Sequence, residues 1–136
     1  MIKPANKVKI VKLSTLKAKL DKIFSEYIRK KNMDEHLIIR CYTCGKAMFY
    51  RDSTVGHFIK RGNLSARYSE TTVKPQCIKC NFYLQGNDVI FYENLCNEYG
   101  KNIIDVLRNK KGINKIDRFS YEYLIKEYTE KLKALK

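Results

Sequence analysis

Two Cys-x-x-Cys pairs constrain the fold of this chain more than any other feature. Cys41 and Cys44 form the first pair, and Cys77 and Cys80 form the second. Four thiolates at this spacing are typical of a tetrahedral zinc site built from two knuckles, and a site closed by four protein ligands is structural. Cys96 makes the number of cysteines odd, which does not favour a disulfide scaffold and indicates a reducing compartment. We therefore predict a zinc-stapled domain whose chemistry lies outside the zinc site.

The charge of the chain predicts a nucleic-acid partner. The 136 residues include 28 Lys and Arg against 14 Asp and Glu, a formal net charge of +14. Basic residues are in excess along the whole chain, which favours a positive face that binds phosphates. Basic RNA-binding proteins share this balance, so charge leaves the kind of nucleic acid open. With no run of about 18 apolar residues and no evident signal peptide, we expect a cytoplasmic location and no membrane contact.

The length suits one compact domain, for which we predict an α+β fold. Apolar residues from Leu16 to Ile28 recur at helical spacing, and the opposite face of this helix is basic. We predict that Arg29 and Lys30 on that face contact the DNA backbone. The predicted segments are a basic flexible arm at 1–13 and a domain at 14–136 that comprises an N-terminal helix (14–33), a zinc-stapled finger (37–92) and a C-terminal helical region (93–136).

Within the finger, the pattern predicts a β-hairpin whose strands are residues 47–50 and 54–60. A further short strand is predicted at Arg67–Ser69. Pro75 has no amide hydrogen to donate, so the segment Val73–Gln76 is expected at an edge or in a loop.

Two residues beside the cysteine pairs carry the predicted chemistry. His57 lies on the returning strand of the hairpin, and Asn81 follows Cys80 directly, where a helix begins. A neutral imidazole near its unperturbed pKa of about 6.5 can act as a general base at cytoplasmic pH. The amide oxygen of Asn81 is a hard ligand suited to Mg²⁺, although asparagine also commonly caps helices. A zinc-stapled hairpin with one histidine, leading into such a helix, is the arrangement of a ββα-metal (HNH-type, or His-Me finger) nuclease.

The cysteine and histidine motifs together resemble those of a known family. Cys41-x-x-Cys44-Gly45, Gly56-His57, Gln76-Cys77-x-x-Cys80-Asn81 and Gly86-Asn87 are similar to motifs of the phage NinG family, the Rap recombination endonucleases of lambda-like phages. The resemblance extends over about residues 14–136. The order of the motifs also resembles phage endonuclease VII, in which a four-cysteine zinc site flanks a catalytic histidine and a metal-binding asparagine follows the last cysteine.

The resemblance implies an activity, cofactors and partners. It implies metal-dependent cleavage of DNA, with branched recombination intermediates such as Holliday junctions and D-loops as substrates. Structural Zn²⁺ and a catalytic Mg²⁺ or Mn²⁺ would be the cofactors. A homodimer and recombination proteins are candidate assemblies. A zinc-stabilised DNA- or RNA-binding module without catalysis remains the alternative, since it would keep the cysteines and the charge.

Further site residues follow from the same comparison. Glu70, in a segment that resembles the family's, is the first candidate for a second ligand of the catalytic ion, and Arg67 is predicted to contact the scissile phosphate. Gly56 and Thr72 depart from the fuller HNH pattern, which often has an acid before the histidine and an asparagine bracing the following loop. The absence of that asparagine leaves the orientation of His57 open, although the Thr72 hydroxyl could still supply an acceptor. The residues predicted to follow the DNA backbone are Lys60, Arg61, Lys74 and Lys79.

Overall fold

The computed structural model describes residues 10–135, so most of the arm predicted at 1–13 lies outside the described residues. The helices are α1 (Leu13–Lys31), α2 (Asp88–Tyr99), α3 (Lys101–Asn109) and α4 (Arg118–Ala134). The strands are β1 (Ile38–Arg40), β2 (Ala47–Phe49), β3 (Thr54–His57) and β4 (Val73–Gln76). Helices and small sheets thus occur together, as the predicted α+β class requires. The border predicted between residues 92 and 93 falls inside α2.

Helix α1 packs against α4 to form the main core. Leu20, Phe24 and Ile28 recur at three- and four-residue spacing, and all three are buried. The ring of Phe24 meets that of Tyr128 edge to face, with centroids 4.9 Å apart. Val73 of β4 belongs to the same core, so this helix pair also supports one of the two sheets.

Each sheet contains two antiparallel strands. The first knuckle closes β1 onto β2, while β3 pairs with β4 so that Thr54 lies opposite Gln76 and His57 opposite Val73. The predicted hairpin between residues 47–50 and 54–60 is therefore wrong. A 3-10 turn at Tyr50–Asp52 separates the two segments, because β2 already pairs with β1.

The long loop between β3 and β4 packs against the C-terminal half of the chain. Its residues Phe58 and Ile59 share a core with Phe91 of α2 and Ile104 of α3. The strand predicted at Arg67–Ser69 is wrong, since these residues form turns in this loop. Pro75 lies within β4, which within residues 10–135 pairs only with β3, and this confirms an edge position. Among residues 10–135, no helix is both long enough and apolar enough to span a membrane.

Candidate functional site

The four cysteines of the two pairs converge on one point. Their sulfur atoms all lie within 4.8 Å of one another. The Sγ atoms of Cys44 and Cys77 are 3.8 Å apart, which is close to the edge of about 3.8 Å expected for a tetrahedron with Zn–S bonds of about 2.3 Å. The cluster can therefore hold a metal ion such as zinc.

Neighbouring polar groups orient these sulfur atoms. The backbone N–H of Cys80 donates to Cys77 Sγ at 3.4 Å, and Asn87 Nδ2 donates to Cys80 Sγ at 3.7 Å. Thr43 Oγ1 lies 3.3 Å from Cys41 Sγ. Donors of this kind stabilise thiolates and fix metal ligands in place. With four protein ligands, the cluster leaves no open position for a substrate.

His57 and Asn81 both line a cavity of about 650 Å³ outside the cysteine cluster. Helix α1, strand β3, the β3–β4 loop and the turn after Cys80 all contribute to its walls. Of the residues predicted to contact DNA, Arg29, Lys60 and Arg61 also line this cavity. Phosphate groups would be attracted to such a wall.

A backbone carbonyl determines which nitrogen of His57 is free. Nε2 lies 3.0 Å from the carbonyl oxygen of Arg67. Because a carbonyl only accepts hydrogen bonds, Nε2 must carry the proton, and Nδ1 of the neutral ring keeps its lone pair. Burial and the positive charge of Arg61 lower the pKa of His57 to about 4, although the Arg67 carbonyl acts in the opposite direction. The pKa of His57 is thus lowered from its ordinary value of about 6.5, which favours the neutral imidazole at pH 7.

This arrangement predicts a measurable tautomer. In ¹⁵N-resolved NMR spectra of the free protein at pH 7, His57 should be the neutral Nε2–H form and should titrate with a pKa of about 4. Arg61→Gln should raise the pKa of His57, because it removes a like charge from the cavity. Spectra of His36→Asn identify the signal of the other histidine. A protonated Nδ1 at pH 7, or a midpoint at or above 6.5, would contradict the assigned geometry.

Asp21 holds the segment that carries this carbonyl. The buried guanidinium of Arg67 donates from Nε and Nη2 to the Asp21 carboxylate, at 2.9 and 2.7 Å, and the Tyr68 hydroxyl donates to it at 2.7 Å. Arg67 thus has a structural role in place of the predicted phosphate contact, and its backbone, not its side chain, reaches His57. Sequence reasoning missed Asp21. Its signal was an acid on a basic helix, beside the apolar stripe at Leu20 and Phe24.

Asn81 lies in the π-helical turn Lys79–Tyr83, and its amide is fixed by β3. Nδ2 donates to Thr54 Oγ1 at 3.0 Å and to the Val55 carbonyl at 3.2 Å. Since the carbonyl can only accept, the amide nitrogen must face β3, and Oδ1 is left as the ligand atom available to a cation. The turn is capped at Ile78, so Asn81 does not act as a helix cap. π-helical turns occur frequently at functional sites.

Comparison with protein families identifies the group to which this arrangement belongs. The family profile described as Bacteriophage Lambda NinG protein matches residues 3–136. The chain belongs to the NinG family. Searches of curated proteins and of solved structures found no significant match. The family match covers the cysteine cluster and every element that lines the cavity.

In this NinG-family protein, Gly56 stands before the histidine for a steric reason. A Cβ atom at this position would lie 1.7 Å from Oε1 of the fully buried Gln76. Gln76 in turn donates from Nε2 to Thr43 Oγ1 and to the Gly86 carbonyl, at 3.2 and 2.8 Å. An acidic metal ligand therefore cannot be accommodated before His57 without displacing Gln76.

Two other predicted contributions to the NinG-family site are not found. Thr72 is buried, and its hydroxyl has no hydrogen-bond partner within residues 10–135, so it does not supply an acceptor to His57. Glu70 is bound by Lys31 at 3.2 Å and by Lys131 at 3.1 Å, and it does not line the cavity. Its carboxylate links α1 to α4, which argues against the predicted role as a ligand of the catalytic ion.

The remaining predicted DNA contacts lie away from the cavity. Lys74 is largely buried and donates to the Tyr99 hydroxyl at 2.6 Å, which argues against the predicted contact with DNA. Lys79 is exposed but lines a separate, smaller cavity beside Phe49. Lys30 is exposed on α1, 5.8 Å from the centre of the Tyr50 ring. Lys30 and Lys79 remain available to a backbone that extends beyond the cavity.

Proposed function

We propose that this NinG-family protein is a metal-dependent DNA endonuclease of the ββα-metal type. Branched recombination intermediates such as Holliday junctions and D-loops are the proposed substrates. The observation that carries the proposal is the pairing, in one basic cavity, of His57 with a free Nδ1 and Asn81 with a free Oδ1. The chain order β3, β4 and helical turn supports the ββα interpretation, with His57 ending β3 and Asn81 in the turn.

His57 would act as the general base in this reaction. Nδ1 would take a proton from the water that attacks the phosphorus atom, while the Arg67 carbonyl holds Nε2–H and keeps the ring oriented. A pKa of about 4 makes the free imidazole a weak base. A phosphate bound in the cavity would oppose the charge of Arg61 and raise the pKa of His57. Substrate binding would therefore strengthen the base where it is needed.

Asn81 would supply the protein ligand for Mg²⁺ or Mn²⁺. When bound, the cation stabilises the negative charge that develops on the phosphate and on the leaving oxygen. Its other ligands would be water and phosphate oxygens, as is usual for Mg²⁺. Asp21, the acid in the cavity wall, is already paired with Arg67. Because Arg29, Lys60 and Arg61 make the cavity positive, we expect the cation to bind together with DNA rather than before it.

The cysteine cluster, loaded with zinc, would hold this cavity together without entering the reaction. It joins β1 to β4, the strand that pairs with β3, since β1 leads into Cys41 and β4 into Cys77. Four-way junctions have two-fold symmetry, so a homodimer would allow symmetric cleavage of both strands.

Cleavage of a labelled four-way junction tests the proposal. We expect the zinc-loaded protein to cut the junction in Mg²⁺ or Mn²⁺, in preference to a linear duplex of matched sequence. His57→Ala should lower the rate by about 10²- to 10⁴-fold and still retard the junction on a gel. His36→Ala is the matched control, because His36 is exposed. Equal binding by parent and His57→Ala, with cleavage by neither, would instead favour the non-catalytic nucleic-acid-binding module.

A further inference from the structure

Two exposed aromatic side chains lie in the turn after Cys80, and one of them lines the cavity. Phe82 is 66% exposed and Tyr83 is 80% exposed, and they are the two residues after Asn81. Phe82 is part of the cavity wall, together with His57 and Asn81. Exposed aromatic surface beside a site commonly marks an interaction surface. We refer to Phe82 and Tyr83 as the aromatic pair.

The turn that carries the aromatic pair is fixed on both sides. Cys77 and Cys80 hold its start in the metal cluster. Asn81 Nδ2 binds β3, and Asn87 Nδ2 binds Cys80 Sγ just beyond the turn. The rings are therefore presented by a rigid support, which lowers the entropy lost when they bind a flat partner.

The charges around the aromatic pair favour a nucleic acid over an apolar protein surface. Arg29, Lys60 and Arg61 line the same cavity as Phe82, and Lys79 belongs to the same turn. The turn itself contains no acid. A flat apolar face beside several cations is complementary to a nucleobase with its attached phosphate.

We propose that Phe82, assisted by Tyr83, stacks on a nucleobase left unstacked at a DNA branch point, beside the phosphate held in the cavity. The inference rests on the proposed function and specifies how that site selects its substrate. In an intact duplex the faces of the bases are covered by their neighbours. At a branch point or in a single strand a face is accessible at little cost. Stacking therefore favours branched over linear DNA.

Binding measurements test this role without requiring cleavage. Affinities are measured in the absence of added Mg²⁺ and Mn²⁺, for a four-way junction with 2-aminopurine at the branch and for a matched linear duplex. Phe82→Ala should weaken junction binding about tenfold and duplex binding by less than about twofold. Phe82→Trp should retain the parental affinity, because it keeps an aromatic face. The 2-aminopurine fluorescence should change with the parent and less with Phe82→Ala.

The matched control is Phe119→Ala. Phe119 is 76% exposed on α4 and does not line the cavity, so its removal should leave both affinities unchanged. Zinc content and circular dichroism establish that each variant is folded, and Phe82→Leu replaces Phe82→Ala if the latter is not.

Three results would overturn the stacking role. The first is that Phe82→Ala binds the junction with the parental affinity. The second is that Phe82→Ala loses affinity equally for the junction and for the duplex. The third is that Phe82→Ala changes the self-association of the protein without changing its affinity for the junction. If the parental protein prefers the junction in a way that depends on Phe82 but cuts neither DNA, the nuclease proposal alone is refuted. If the parental protein cuts junctions and Phe82→Ala binds them with the parental affinity, the stacking proposal alone is refuted.

Discussion

Replacing Cys77 by serine should remove the metal and unfold the domain. Cys77 is buried in a small core that otherwise comprises Ile39, Met48, Cys41 and Cys80, with few apolar neighbours to replace the metal bonds. Structural zinc binds finger peptides with about 10–16 kcal/mol, whereas whole domains are stable by only about 5–15 kcal/mol. Serine does not replace a thiolate as a zinc ligand. We therefore expect zinc content near zero and loss of the cooperative thermal transition seen for the parent.

Cys96→Ser makes the same chemical change outside the cluster and serves as the control. Cys96 is partly buried against the core formed by α2 and α3 and does not belong to the metal cluster. This variant should keep its zinc and unfold close to the parental midpoint. Zinc content by elemental analysis and melting by circular dichroism give both readouts. A Cys77→Ser protein that melts at the parental midpoint would refute a structural metal.

Asp21→Asn should both destabilise the protein and slow cleavage. The exchange keeps the shape of the side chain but leaves the Arg67 guanidinium, which is largely buried, without its counter-charge. Removing one partner of a buried pair costs about 3–5 kcal/mol, and partial exposure of Asp21 places this case near the lower end. The Arg67 carbonyl would also lose its anchor, so His57 would be less well oriented. Junction binding should be largely retained, and the cleavage rate should fall at temperatures where the variant is folded.

The effect of Asp21→Asn on stability should depend on pH. Burial alone would raise the pKa of Asp21, but hydrogen bonds from Arg67 and Tyr68 outweigh it and hold the pKa below the ordinary value of 3.8. The unfolded chain then binds the proton more tightly, so this contribution is complete above pH 3.8 and is lost as the pH falls through the folded-state value. The difference between parent and variant in chemical denaturation should therefore shrink in acid.

Asp105→Asn is the control for Asp21→Asn. Asp105 pairs with the exposed Lys101 on α3, and ion pairs at the surface contribute little to stability. Its midpoint and its cleavage rate should stay near those of the parent. Equal effects of the two exchanges, or a stable Asp21→Asn protein with full activity, would show that Asp21 does not support His57.

The chemistry-bearing residues could be predicted from their positions relative to the cysteines: Asn81 follows Cys80 directly, and His57 is the one histidine between the two cysteine pairs. The Cys-x-x-Cys spacing determines the local backbone around a metal, so the convergence of the four sulfur atoms follows from it. Asn81 is adjacent to Cys80, and its position in the turn is a local matter. The basic composition is a property of the chain as a whole. The metal cluster, the position of Asn81 and the positive charge could all be inferred without knowing how distant segments pack.

The residues that support the site could not be predicted in this way. Asp21 and Arg67 are 46 residues apart, and Glu70 and Lys131 are 61 residues apart. Whether a charged side chain faces a phosphate or an internal partner depends on which helix packs beside it. The same reason explains why the prediction for Lys74 failed to anticipate its partner. The sequence predicted that Lys74 contacts DNA, whereas in the fold Lys74 donates to the Tyr99 hydroxyl.

The sequence by itself determined the metal cluster, the positive charge, the α+β class and the two residues of the proposed chemistry. The tertiary structure alone decided the pairing of β3 with β4, the tether from Arg67 to His57 and the removal of Glu70 and Lys74 from the site. The physical reason is the range of the interactions. Spacing and propensity act over a few residues, whereas strand pairing and buried ion pairs form between segments that only the folded core brings together.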